Sequence, residues 1–244
     1  MIGITSITFR KLNVDEVIDF AVLAKVDGIE WGSDVHVLPG DKENAIAVKK
    51  RCDENNIKIF SYGTYYFLGC GQSIDEYLES CIGLGCDRIR IWAGKKYPHE
   101  LNAEERQILV DECIDVCKKA SKYNIEICFE YHRNSLTATK ESAYQLMKEA
   151  NQPNLFLYWQ PNPDVGEDEK IKEIALLKPY LKTIHFFNWS EGNERHLMRE
   201  AINRWSEYIK EIDDITLPYL LEFTKDDDER NALDDIEVMK SLLM

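Results

Sequence analysis

No run of eighteen apolar residues occurs anywhere in the 244-residue chain, and no charged segment leading into an apolar stretch opens it. Membrane spanning and secretion are therefore not expected, and the cytoplasm is the default compartment. Positive charge is scarce, with 30 Lys and Arg against 44 Asp and Glu and a formal net charge of −14. A nucleic-acid backbone or an anionic membrane would be repelled at long range, which argues against both as partners. The seven cysteines, at 52, 70, 81, 86, 113, 117 and 128, are odd in number and have neither CxxC spacing nor a disulfide framework, so reduced thiols are expected. Cys113 and Cys117 share one face of an expected helix, where small buried hydrophobes outnumber ligand pairs. A GxGxxG turn is missing after the first expected strand, which removes the close backbone approach that a pyrophosphate needs.

What is present is ordinary in bulk and repetitive in pattern. The chain is 44% hydrophobic and 30% charged, long enough for one large core. GITSITFR reads as an alternating strand, and NVDEVIDFAVLAKV keeps helical spacing through Val14, Val17, Ile18, Ala21 and Val22. The alternation continues with GIEWGSDVHV and KENAIAVKKRCDENN, KIFSYGTYYF and QSIDEYLESCIGLG, CDRIRIWAG and AEERQILVDECIDVCKKASKYN. It goes on through IEICFEYH and TKESAYQLMKEA, LFLYWQPN and EDEKIKEIALLK, LKTIHFFNW and a long helix around Arg199 to Ile212, then LPYLLEFT and ALDDIEVMKSLL. About eight strand–helix units of roughly thirty residues, with no linker between them, imply parallel strands joined by helical crossovers. Eight such units close into a (β/α)8 barrel, a TIM barrel, here a single domain over residues 1–244. A doubly wound open sheet is the structural rival.

The strand ends carry the chemistry. NIEICFEYHRNSLTAT begins as an apolar strand and, without a turn residue, reaches Glu130, His132 and Arg133. An unpaired buried carboxylate costs several kcal/mol, so something must offset Glu130. In a closed parallel barrel the carboxyl ends of all strands share one face, the face that holds active sites. In chain order these ends offer Arg10, Glu30 to His36, Tyr62, Arg90 with Trp92, Glu130 with His132, Gln160, His185 and Glu222. Glu130, Gln160, His185 and Glu222, from the last four strands, would meet in space as a four-ligand site. Their mixed oxygen and nitrogen donors suit Mn2+, Mg2+, Co2+ or Zn2+. Such an ion would offset the charge of Glu130 and polarise a carbonyl, making a neighbouring C–H acidic. The bland alternatives are a Glu130 paired with Arg90 or Arg133, and a His185 satisfied in the core. Trp31, Trp92, Trp159 and Trp189 serve equally as core or as flat walls against sugar C–H faces.

SITFR, GIEWGSDVHV, RIRIWAG, FEYHRNSLTAT, YWQPN, IHFFNW and LLEFTKDD together resemble the xylose isomerase-like TIM-barrel superfamily of sugar and sugar-phosphate isomerases and epimerases, over nearly the whole chain. The resemblance implies a divalent metal held by Glu, Asp, His and Glu on the last four strands, positions that fall here on Glu130, Gln160, His185 and Glu222. Gln160 departs from the usual Asp and makes the site less negative by one charge. The resemblance also implies that Glu130 and Glu222 act as acid and base on opposite faces of the reacting carbon, through a metal-stabilised enediolate. His36, Arg90 and His132, with Trp92 as a wall, would then hold a small sugar or sugar phosphate, and a homodimer is the expected assembly. The leading expectation is thus a metal-dependent isomerase or epimerase. Its alternatives are a dehydratase on a keto-inositol-like compound, which also needs a general acid for the leaving hydroxyl, and a non-catalytic carbohydrate- or protein-binding barrel. DNA-repair endonucleases of the same superfamily use more metal ligands and a basic surface, and neither is evident here.

Overall fold

The computed structural model describes residues 1–244. Eight parallel strands close into one barrel: β1 (Ile2–Thr5), β2 (Gly28–Gly32), β3 (Lys58–Phe67), β4 (Arg88–Trp92), β5 (Glu126–Glu130), β6 (Leu155–Trp159), β7 (Leu181–Phe186) and an eighth barrel strand, Tyr219–Leu221, which pairs with both β7 and β1. The helices that follow them are α1 (Val14–Ala24), α2 (Lys42–Glu54), α3 (Ile74–Leu84), α4 (Ala103–Ser121), α5 (Lys140–Ala150), α6 (Glu167–Leu177), α7 (Ile202–Ile212) and α8 (Glu229–Leu243). No helix is long and apolar enough to cross a membrane.

Local sequence explains where the helices begin and end. Asn13 with Glu16, and Asn102 with Glu105, form reciprocal capping boxes at α1 and α4, while Asp41, Ser73, Thr139 and Asp228 cap α2, α3, α5 and α8. Left-handed residues stop the chain at Lys25, Gly85, Asn151 and Asp213. The helices pack their apolar faces on the outward side chains of the strands, so Ile29, Trp31, Ile89, Ile91, Ile127, Phe129, Trp159 and Phe186 join one continuous buried cluster. The seven cysteines are all free, and only Cys70 is exposed.

Two stretches depart from the strand pattern. GITSITFR was expected to run extended to Arg10, but β1 stops at Thr5 and Ser6–Phe9 turns into a 3-10 segment. The hydroxyls explain the bend. The Thr5 and Thr8 side chains lie 2.9 Å apart, Thr8 Oγ1 donates to the Leu221 carbonyl, and Ser6 Oγ accepts from the Gly32 amide, so local hydrogen bonds replace the ladder. After β7, Trp189–Ser190 pairs with Glu194–Arg195 in a small antiparallel hairpin, and the long helix expected from Arg199 begins as a 3-10 turn, Met198–Ala201, before α7.

Close approach between β1, β2 and β3 requires glycine. A Cβ at Gly28 would stand 2.6 Å from the Lys58 carbonyl oxygen and 2.9 Å from the Phe60 ring. Gly28→Ala should therefore overpack the barrel wall and destabilise by about 1–3 kcal/mol. Urea denaturation measures this, and an unmoved midpoint would reject the overpacking argument.

Candidate active site

The alternation of a strand puts Arg90 of β4, Glu130 of β5 and His185 of β7 inside the barrel, joined by Gln160 and Glu222 just beyond β6 and the eighth strand. All five are buried, and so is Glu30 of β2. They form one connected group. Arg90 Nε donates to Glu30 Oε1 at 3.2 Å, and its Nη1 donates to Glu130 Oε2. Gln160 donates its amide to Glu130 Oε1 at 3.2 Å and offers its carbonyl to His185 Nδ1 at 3.0 Å. His185 Nδ1 also lies 3.2 Å from Glu222 Oε2. Glu30 Oε2 accepts from Ser61 Oγ at 2.7 Å.

Three carboxylates face one guanidinium, and the electrostatics follow from that excess. Burial acts to raise the Glu30 pKa, but Arg90, His185 and Ser61 together outweigh it and hold the carboxyl at about 2. Burial likewise opposes the charge of Arg90, and Glu130 and Glu30 overcome it and raise its pKa. Glu222 is lowered, against its burial, by His185 and Arg90. Burial alone would lower the His185 pKa, yet Glu222 and Glu30 drive it up to about 10. With the imidazole neutral, the group would carry two uncompensated negative charges, and a proton on His185 removes one of them.

That arrangement also fits a divalent cation. Glu130, His185 and Glu222 offer ligand atoms within 4.8 Å of one another, in the oxygen and nitrogen chemistry of Mn2+, Mg2+ or Zn2+. Gln160 lies between Glu130 and His185, so its carbonyl is within reach of the same centre. A cation of charge two would balance the group with His185 neutral.

Above the group lies a pocket of about 200 Å³ with walls that include Trp92, Phe187, Trp189, Phe223, Tyr65 and Ile7. Phe223 has φ +59°, uncommon for an aromatic residue, and its amide donates to Thr8 Oγ1 at 2.8 Å. This kink follows Glu222 directly and turns the Phe223 ring onto Trp189, with centroids 5.5 Å apart. His132 reaches the same pocket, its ring edge-on to Trp92 at 4.7 Å. Its Nδ1 faces the Arg133 carbonyl, which can only accept. The proton of a neutral His132 therefore sits on Nδ1, and the Nε2 lone pair is free.

The residues anticipated from the strand ends thus separate. Glu130, Gln160, His185 and Glu222 come together, Arg90 binds Glu130 rather than standing free, and Trp92 and His132 line the pocket. His36 does not join them. It is buried behind β2, bonded through Nε2 to the Leu12 carbonyl at 3.0 Å and packed on Trp31 at 5.6 Å. Trp31 and Trp159 are core, while Trp189 is a wall. Glu30 is the member that the strand-end census contained but to which no role was given. The available signal was its position in GIEWG, a buried strand reaching a carboxylate as β5 does at Glu130.

A sequence model of the xylose isomerase-like TIM barrel family matches residues 18–242. A curated relative, 3-dehydroshikimate dehydratase from Bacillus anthracis, is 24% identical over 212 residues, 80% of this chain and 74% of the relative. Among solved structures, the probable 3-DHS dehydratase of petrobactin synthesis from Bacillus anthracis superposes with a TM-score of 0.81 at 19% identity, covering 98% of both chains. D-psicose 3-epimerase from Clostridium cellulolyticum H10, solved with D-tagatose, gives 0.75 at 15% identity over 99% of both chains. At these identities the superpositions establish a shared fold.

In metal-free protein, the His185 proton contributes stability that is complete below the ordinary value of 6.5 and is lost as pH rises through about 10. Denaturant titrations of wild type and His185→Gln should therefore converge across the window from 6.5 to 10. Parallel pH profiles would remove the imidazolium from the account.

Proposed function

The chain belongs to the xylose isomerase-like TIM barrel family, and from that premise we propose that it is a metal-assisted lyase, a dehydratase of a small hydroxylated ring ketone of the 3-dehydroshikimate class. The observation that carries this reading is His132. It faces the pocket from the wall, with its Nδ1 proton committed to a carbonyl and its Nε2 free as a base.

The glutamates are differently employed. Glu130 has both oxygens engaged, one by Arg90 and one by Gln160, and Glu222 is held against His185. Carboxylates tied in this way suit ligation better than proton traffic, which weakens the two-glutamate epimerase scheme for this chain. Glu130, His185 and Glu222, with the Gln160 carbonyl, would hold a divalent ion, which when bound supplies Lewis-acid polarisation of a substrate carbonyl. His132 Nε2 removes the proton from the carbon next to that carbonyl. The electron pair of the broken C–H bond forms a C=C bond as the neighbouring C–O bond breaks, and the His132 imidazolium returns its proton to the departing hydroxyl, so that water leaves. Dehydration needs a base and an acid for the hydroxyl, and one imidazole beside the pocket serves in both steps. The aromatic walls favour a ring face over a long chain of hydroxyls, which would need many free donors and acceptors. The name of the curated relative supports the same reaction class.

The epimerase reading keeps one point in its favour, since Glu130 and Glu222 both line the pocket. Incubating the Mn2+-supplemented protein with 3-dehydroshikimate and, separately, with ketoses in D2O separates the two. Dehydration followed by the product's conjugated ultraviolet absorbance, abolished by EDTA, is expected. Deuterium incorporation into a ketose without dehydration would make the chain an epimerase, and inactivity on both with no metal uptake would favour a binding barrel. His132→Gln should lower turnover by about 10²–10⁴-fold, the usual worth of a positioned acid–base group, with Mn2+ affinity unchanged. Full activity in that variant would sink the proposed mechanism.

Metal uptake has its own readout. Saturating Mn2+ at a hundredfold excess over Kd should stabilise the fold by about 2.7 kcal/mol, seen as a rise in Tm. Glu222→Gln should diminish that rise. A Tm indifferent to Mn2+ in wild type would count against the ligand set.

A further inference from the structure

We propose that Glu30 is a positioning residue whose single carboxylate orients two of the candidate ligands, His185 directly and Glu130 through Arg90. This rests on the metal-ligand reading above and assigns a role to a residue outside both the ligand set and the pocket wall.

Glu30 is 1% exposed and lies beneath the pocket, so it acts on its neighbours rather than on a substrate. Its Oε1 accepts from Arg90 Nε at 3.2 Å and lies 3.7 Å from His185 Nε2, while Ser61 Oγ holds Oε2 at 2.7 Å. At 3.7 Å the histidine contact is electrostatic rather than a formed hydrogen bond, and Nε2 is a buried nitrogen with no hydrogen-bond partner. The other nitrogen, Nδ1, faces Gln160 and Glu222, the side on which the ligand atoms gather. An imidazole that ligates through one nitrogen carries its proton on the other, and a carboxylate facing that N–H fixes both tautomer and ring angle. Glu30 is the carboxylate that faces Nε2.

Arg90 extends the same control across the barrel. Its guanidinium is planar, so anchoring Nε on Glu30 sets the direction in which Nη1 meets Glu130. Backbone space is reserved for this pair. A Cβ at Gly63 would stand 2.5 Å from Glu30 Oε1 and 2.8 Å from Arg90 Nη2.

The test compares wild type, Glu30→Gln and Glu30→Ala by Mn2+ titration calorimetry and by 15N NMR of the Arg90 Nε–H and His185 Nε2–H groups. Loss of a partner that orients a metal-bound histidine typically weakens metal binding by about 10–100-fold, and that is expected for Glu30→Ala. A smaller loss is expected for Glu30→Gln, since the amide oxygen still accepts a hydrogen bond. In metal-free Glu30→Gln both N–H signals should shift and exchange faster with solvent. A role in stability alone would lower Tm but leave the Mn2+ Kd in place. Unchanged Kd with unmoved N–H signals in the folded Glu30→Gln protein overturns the proposal, whether or not Glu30→Ala folds. If wild type takes up no Mn2+, the metal reading fails by itself. The metal-free N–H signals then decide on Glu30 alone, supporting its orienting role if they move and rejecting it if they do not.

Discussion

Arg90, pinned between Glu30 and Glu130 at the centre of the barrel, is the contact on which the rest of the site depends. A guanidinium and two carboxylates removed from water are individually expensive, and only a geometry that satisfies their donors and acceptors makes them tolerable. The closed sheet supplies that geometry. β2, β4 and β5 carry the three residues inward from different points of the ring, and Gly63 on the intervening β3 leaves room where the side chains meet. Removing one partner from such a buried group typically costs about 3–5 kcal/mol, because the remaining charge stays behind without compensation. The triad therefore constrains which residues each strand can present at this level.

The same charges set what the neighbouring groups can do. Arg90 offsets one of the three carboxylates, and the surplus attracts either a proton on His185 or an external cation beside it. Gln160 suits this balance. Its amide donates to Glu130 while its carbonyl accepts from His185, two opposite demands that an aspartate could not meet at once. The neutral amide thus keeps the group connected, where a fourth carboxylate would add repulsion in a low-dielectric setting.

The parts visible in the sequence were those governed by period and by strand ends. The alternation of strands with helices gave the barrel, and the apolar runs reaching Glu130, Gln160, His185 and Glu222 gave the last four positions, because each of those residues lies within one residue of its strand's end. Parity explains what was hidden. The pairing of β2 with β3 slips between Ile29 and Glu30, so Ile29 sits opposite Ile59 but Glu30 opposite Ser61. Strand counting picks out Tyr62 as the polar end of β3, whereas its hydroxyl turns outward to the Val37 carbonyl and the inward places belong to Ser61 and Gly63. His36 was misleading for a related reason. It belongs to the loop after β2, and a loop residue has no period to say which way it faces.

The segment that ends β5 joins the two halves of the chemistry. Glu130 and His132 are two residues apart and so continue on the same side of an extended chain, one reaching down to Arg90 and the other up against Trp92, while Tyr131 between them turns toward the helices. The following residues hold this arrangement from behind. Thr137 Oγ1 donates to the Glu130 carbonyl at 2.7 Å, and Ser135 Oγ donates to the His132 carbonyl at 2.6 Å, so the loop fastens the backbone of both residues. With the main chain held at those two carbonyls, the backbone of His132 is tied to the peptide that carries Glu130. The proposed base and the proposed ligand are in this way carried by one short piece of backbone, so their spacing depends on the strand end as well as on the two side chains.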